Sequence, residues 1–188
     1  AEAEPEVIVH QMTAISGDFN PRKMNENFVT TNRLRTEGTD HLLAAGRAVG
    51  VRRFVAQSYA PAIYERSGSM IKEESDPTDS SPPADFATIT EAVLHLESAV
   101  TGADGIEGVV LRYGNFYGPG TSITVNPDGV QIAAVRSRKF PIAGDGGAVW
   151  SFIHVEDAAE ATVLAVEGGA PGIYNVVDDN PAPVREWV

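Results

Sequence analysis

Short unbroken apolar runs alternate along this chain with longer stretches in which apolar residues return every three or four positions. Val7-Ile8-Val9-His10, Arg53 to Ser58, Val109 to Tyr113, Val149 to Ile153 and Ile173 to Val177 are of the first kind and predict strands covered on both faces. Phe28, Leu34, Leu42, Leu43, Ala45 and Val49 keep helical spacing between about residues 25 and 49, with Gly46 and Gly50 near the end. Ile89, Val93, Leu96 and Val100 predict an amphipathic helix over 87–100, and an alanine-rich stretch predicts one over 156–166. Asn126-Pro127-Asp128 reads as a capping residue followed by proline at the first helical position, opening a helix that runs to near Lys139. Pro183 to Trp187 opens a last one. This alternation predicts an α/β fold, a partial Rossmann-like, doubly wound and largely parallel sheet. The polar stretch 59–85 is a long loop, a kind of segment that often carries function. Pro and Gly crowd between 114 and 147 and predict a lobe of loops beside the sheet.

Length and composition narrow the class. The 188 residues make one domain's worth, and 43% hydrophobic residues suit a folded globular chain. With 26 acidic against 14 basic side chains the net charge is −12, which weighs against nucleic acid and anionic lipid as partners. The absence of cysteine excludes a disulfide framework, a thiol nucleophile, a zinc ribbon and an iron–sulfur site. No apolar run approaches the ~18 residues of a membrane span, and the acidic start Ala1-Glu2-Ala3-Glu4-Pro5-Glu6 is unlike a secretory signal, so a cytoplasmic setting without membrane contact is expected.

Ligands of open α/β sheets sit beyond the carboxyl ends of the strands, which directs attention to Gln11 to Ala14, Ser58 to Ala60 and Gly114 to Gly118; each also reads as an ordinary turn. No strand–glycine–helix dinucleotide fingerprint is present, since Gly118-Pro119-Gly120 lacks a third glycine and Gly144-Asp145-Gly146-Gly147 precedes a strand. The four histidines do not share a helix face at metal-ligand spacing, so no metal is expected. Ser151, His154 and Asp157 lack the Gly-x-Ser-x-Gly turn of a hydrolase. Glu73, Glu74, Asp76 and Asp79 read as a solvated acidic loop. Arg112 follows buried residues and must be paired or face an anion; structural pairing is the expectation.

Five blocks in order carry a resemblance: Val9-His10-x-x-Thr13-Ala14, Glu37-Gly38-Thr39-x-x-Leu42-Leu43-x-Ala45, Val51-x-Arg53-Phe54-Val55-x-x-Ser58, Leu111-Arg112-Tyr113-x-Asn115-x-Tyr117-Gly118-Pro119-Gly120, and Phe152-Ile153-His154-Val155-x-Asp157-x-x-x-Ala161. The set resembles the NAD-dependent epimerase/dehydratase family, the extended short-chain dehydrogenases/reductases. The resemblance implies a Rossmann-like domain that binds NAD or NADP and acts on sugar-like or other small carbonyl and hydroxyl compounds. It places the block at His10 after the family's fourth strand, so residues 1–188 form a single incomplete domain without the N-terminal glycine-rich part. Residues of about 115–150 and 178–188 supply the substrate lobe. Such a piece is expected to be inactive alone, and its open sheet edge to favour association, a homodimer included.

The resemblance also assigns roles. Gln11, Met12, Thr13, Ser58, Tyr113 and Gly114 match cofactor-binding positions, and Asn115 a substrate-side hydrogen-bonding one; Phe140 and Trp150 offer an apolar substrate wall or simply pack. The family's Tyr-x-x-x-Lys pair, in which the lysine lowers the tyrosine pKa, is absent, and the helix expected to bear it reads Phe86-Ala87-Thr88-Ile89-Thr90-Glu91-Ala92-Val93. The catalytic Ser/Thr position falls on Tyr59, next to Ser58, which makes these two the catalytic candidates, with Tyr59 as a displaced proton donor or a pocket-lining residue. A family arginine that clamps nucleotide phosphates is replaced by Trp150, which weighs against a nucleotide sugar. Two readings stay open: a reductase or epimerase with an altered proton donor, and a non-catalytic dinucleotide sensor or interaction module.

Overall fold

The computed structural model describes residues 4–15, 23–125 and 129–188. A four-stranded parallel sheet in the order β1-β2-β3-β7 forms its centre, from β1 (Val7–His10), β2 (Arg53–Tyr59), β3 (Glu107–Tyr113) and β7 (Gly172–Val176). Between β1 and β2 run α1 (Met24–Arg33), a π-helical turn (Leu34–Gly38) and α2 (Thr39–Val49). Helix α3 (Ala84–Thr101) joins β2 to β3, and α5 (Val155–Glu167) precedes β7. The expected doubly wound parallel sheet is present.

Alternation along the strands sorts the core into two layers. Phe54, Ala56 and Val110 pack with Leu43, Leu96 and Val100 beneath the helices α2 and α3. Val55, Val109, Leu111 and Tyr113 pack on the opposite face with Ala158 and Ala165 of α5. The second layer is thinner. Val9 on β1 stays 44% exposed, and Val163 and Leu164 on α5 are exposed as well. β1 is an edge strand with no neighbour on its outer side among the described residues.

Chain-end chemistry fixes the helix limits. Gly50 closes α2 at φ +77°, and the Val51 amide donates back to the Gly46 carbonyl at 2.9 Å, a turn that only a left-handed residue completes without strain. Arg53, 4% exposed at the start of β2, donates to the carbonyls of Ala165, Gly168 and Gly169 at 2.8–3.0 Å and so caps the carboxyl end of α5.

The 114–150 region differs from the expectation of loops alone. It holds β4 (Asn115–Tyr117) and the short α4 (Val130–Arg136), while the run 149–153 breaks into β5 (Val149–Trp150) and β6 (Phe152–His154). β4 pairs with β6 in parallel, and β5 pairs antiparallel with β8 (Ala182–Pro183), just before α6 (Val184–Trp187). The break at Ser151 lets one run serve two small sheets. The helix start expected at Asn126-Pro127-Asp128 lies outside the described residues.

Candidate functional site

Parallel register levels the carboxyl ends of the central strands. Tyr59 stands opposite Tyr113, and Tyr113 opposite Val176, whereas β1 stops three positions earlier with His10 opposite Ala56. Gln11 to Ile15 leave β1 as an exposed segment in which the Met12 amide donates to His10 Nδ1 at 3.4 Å and the Ala14 amide to Thr31 Oγ1 at 3.0 Å. The backbone of Gln11, Met12 and Thr13 thus continues from the carboxyl end of β1.

Ser58 and Tyr59 part company. The Ser58 side chain is buried under α3, and its hydroxyl donates to Glu97 Oε1 at 2.5 Å. Glu97 also takes Nε and Nη2 of Arg112 at 2.9 and 2.7 Å, both groups being fully buried. Burial alone works against the Arg112 charge, but Glu97 and the Tyr64 hydroxyl more than offset it and raise the guanidinium pKa. The chain continues outward: Arg112 Nη1 donates to Tyr64 Oη at 2.8 Å, Tyr64 to Asn175 Oδ1 at 2.7 Å, and the Asn175 amide to Glu74 Oε1 at 2.7 Å. Arg112 is therefore paired structurally, as expected. Ser58 is a strut of that network, and Glu74, expected to be purely solvated, anchors the long loop to β7.

The same geometry locates what α3 lacks. Val93 and Ile89 stand four and eight residues before Glu97, so they continue its buried face toward the ligand end of the sheet. Buried apolar side chains stand there, on the helix for which the resemblance implied an acid–base pair.

Tyr59 ends β2. Burial raises its phenol pKa, and the positive charge of Arg35 pulls in the other direction. Arg35 comes from the π-turn and is 4% exposed. Its neighbour in chain, Leu34, offers its carbonyl to His10 Nε2 at 3.1 Å. With Nε2 donating and Nδ1 accepting, His10 is held neutral; burial, opposed by the Leu34 bond and aided by the Arg35 charge, lowers its pKa.

The Tyr113 side chain lies under α5, where its hydroxyl pairs with Thr162 Oγ1 at 2.6 Å; burial raises its pKa against bonds from Thr162 and Gln11. Its backbone and Gly114 remain at the sheet end, and a Cβ on Gly114 would lie 2.9 Å from the Ser151 carbonyl oxygen. Asn115 donates Nδ2 to that carbonyl at 3.2 Å and ties β4 to the start of β6. Phe140 and Trp150 do meet, with ring centroids 6.3 Å apart, and Trp187 joins both at 5.1 Å, making a half-buried aromatic cluster.

Glu97 and Arg35 were not singled out by sequence reasoning. Glu97 closes on residues 39 and 15 positions away, a pairing that no local pattern carries. Arg35 does have a signal: Phe28, Thr31, Arg35, Thr39, Leu43 and Gly46 are the buried positions of the long helix, and a charged residue stands in that stripe.

Comparison with known proteins extends this picture. The model of the NAD dependent epimerase/dehydratase family matches residues 1–176. A 3-diazoavenalumate denitrifying reductase of Streptomyces sp is 44% identical over 188 residues, covering 99% of this chain and 60% of that protein. A UDP-glucose 4-epimerase of Streptomyces lividans is 33% identical over 167 residues, covering 80% of this chain and 50% of that protein. Among solved structures, the UDP-glucose 4-epimerase of Thermus thermophilus in complex with NAD superposes with a TM-score of 0.69 at 29% identity, over 97% of this chain and 60% of that one. The chain thus spans about half to three-fifths of the length of these relatives. No helix among the described residues is long and apolar enough to cross a membrane.

Proposed function

The chain belongs to the NAD dependent epimerase/dehydratase family, and from that premise we propose that it forms the acceptor-side part of an NAD(P)-dependent reductase whose small-molecule acceptor takes a hydride without needing a proton. The observation that carries this reading is the apolar face of α3, Ile89 and Val93, in a chain 44% identical to a reductase named for removing nitrogen from a diazo compound.

The residues present suit one end of the cofactor. The peptide groups of Gln11 to Thr13 and of Tyr113 and Gly114 would hold the nicotinamide end at the strand termini, and these 188 residues contain no strand–glycine–helix fingerprint to take the pyrophosphate. When bound, the nicotinamide supplies a hydride. Ile89 and Val93, both fully buried, put no acid or base on that stretch of α3. Tyr59, its pKa raised by burial, keeps its proton at neutral pH and donates a hydrogen bond from Oη. Asn115, Phe140 and Trp150 would bound the acceptor on the lobe side.

An arenediazonium satisfies this set of groups. A hydride adds at the carbon bearing nitrogen, the C–H bond forms, the C–N bond breaks, and dinitrogen leaves with the bonding pair; no proton enters or leaves. A carbonyl acceptor needs a proton on oxygen, for which Tyr59 is the available donor.

The test uses the full-length protein with NADH or NADPH and 4-carboxybenzenediazonium, corrected for the uncatalysed reaction. The expected result is one dinitrogen released per cofactor oxidised, with a solvent deuterium effect near unity. Reduction of small carbonyl compounds that falls ~10²-fold or more on Tyr59→Phe would establish the displaced-donor chemistry instead. Cofactor binding with no consumption by any acceptor would return the sensor reading.

A further inference from the structure

Among the described residues three arginines are almost wholly buried: Arg35 and Arg53 at 4% exposure and Arg112 at 3%. Two are fully accounted for. Arg53 has Glu107 and three carbonyls, and Arg112 has Glu97 and Tyr64. Arg35 has no carboxylate within ion-pair distance among the described residues, and its Nη1 is buried without a hydrogen-bond partner. The Phe28 ring centroid lies 6.0 Å from its guanidinium carbon. Removing a cation from water without an anion costs several kcal/mol, so natural sequences rarely leave one this way without a use.

The backbone goes out of its way to bury it. Arg33 and Glu37, two residues to either side, pair with each other at 2.7 Å on the solvent face. The π-turn at Leu34–Gly38 carries the chain between them with Arg35 turned inward, in the helix's buried stripe. Such widened turns are frequent at functional sites. The position is at the carboxyl end of the sheet, where β1 closes on Leu34 through His10 and the Arg35 charge reaches the Tyr59 phenol. His10 is neutral there, so it does not compete for an anion.

We propose that Arg35 is a buried anion-binding residue that seats an anionic oxygen of the acceptor, a carboxylate or phenolate, at the ligand end of β1 and β2. This rests on the reading of the chain as the acceptor side of a reductase. The guanidinium would take the oxygen by charge-assisted hydrogen bonds, with Tyr59 Oη as the neutral donor nearby. The seat fixes which end of the acceptor enters first.

Paired probes of one shape and different charge test this in the full-length protein: benzoate and benzamide, titrated calorimetrically with and without saturating NADP. Benzoate is expected to bind at least tenfold more tightly than benzamide, Arg35→Met to abolish that preference, and Arg35→Lys to retain part of it. Melting curves report whether each variant folds, and the comparison in the unaltered protein stands even if Arg35→Met does not. Equal affinity for the two probes, or a preference that survives in Arg35→Met, would overturn the proposal. So would a loss of NADP or NAD affinity in Arg35→Met with benzoate binding unchanged, because the anion would then be a cofactor phosphate. Probe binding is read without turnover, so a protein that prefers benzoate but reduces no acceptor refutes the reductase reading and leaves the seat intact.

Discussion

His10 ends the edge strand with both ring nitrogens engaged, one donating to Leu34 and one accepting from Met12, and the bond from Met12 needs the neutral ring. The unfolded ring accepts a proton near its ordinary value of 6.5, while burial and Arg35 hold the folded ring below that. Unfolding therefore takes up a proton as the pH drops below ~6.5, and stability falls with it until the folded ring is itself protonated. His10→Gln should remove this component: the urea-unfolding free energy of the variant should decline less than that of the wild type between pH 7 and pH 5. An identical decline would show that the ring titrates alike in both states. At this scale the sequence was partly legible. The need to pair Arg112 followed from its place after Val109-Val110-Leu111, but its partner Glu97 is a contact made only by folding. Ser58 looked like a site residue because it stands at a strand end. The pleat turns it under α3 and leaves Tyr59 at the end.

Elements were the most readable level, because burial imposes its period on strands and helices directly. All four central strands and the helices α2, α3 and α5 stand where the apolar pattern placed them, within the few residues by which element ends vary. The lobe was harder. β4 and β8 are three and two residues long, too short for a period, and the break between β5 and β6 depends on two partners that the sequence does not reveal locally. The π-turn was missed since one extra residue leaves the helical pattern intact on either side. Tight contact between elements makes a sharper prediction. A Cβ on Gly108 in β3 would collide with the backbone carbonyl oxygen of Val100, which cannot give way without moving the end of α3. Gly108→Ala should cost about 3 kcal/mol or more. At Gly50 a Cβ meets nothing within 4 Å but needs a left-handed backbone, so Gly50→Ala should cost about 1 kcal/mol. Chemical denaturation of both variants checks the order; a Gly108→Ala protein as stable as Gly50→Ala would mean that α3 shifts freely against β3.

For the molecule as a whole, the two faces of the sheet are unequally covered, and β1 is bonded on one side only among the described residues. Local opening should therefore start there. In hydrogen exchange followed by mass spectrometry, segments 53–59 and 107–113 should stay protected at least tenfold longer than 7–10; equal protection would mean that the edge is covered in solution. The overall architecture was legible because strand–helix alternation with doubly buried strands admits few arrangements. The uneven covering was not, since it depends on what packs against β1 and α5. The π-turn bears on how such a molecule changes over generations. Deleting one residue from Leu34–Gly38 would restore a regular helix and rotate everything before it by about 100° relative to α2. Arg35 would leave the buried stripe with no codon for arginine altered. The address of that charge is written as a count of residues, so lineages can gain or lose it by a single insertion or deletion, an event that comparisons of substitutions alone would overlook.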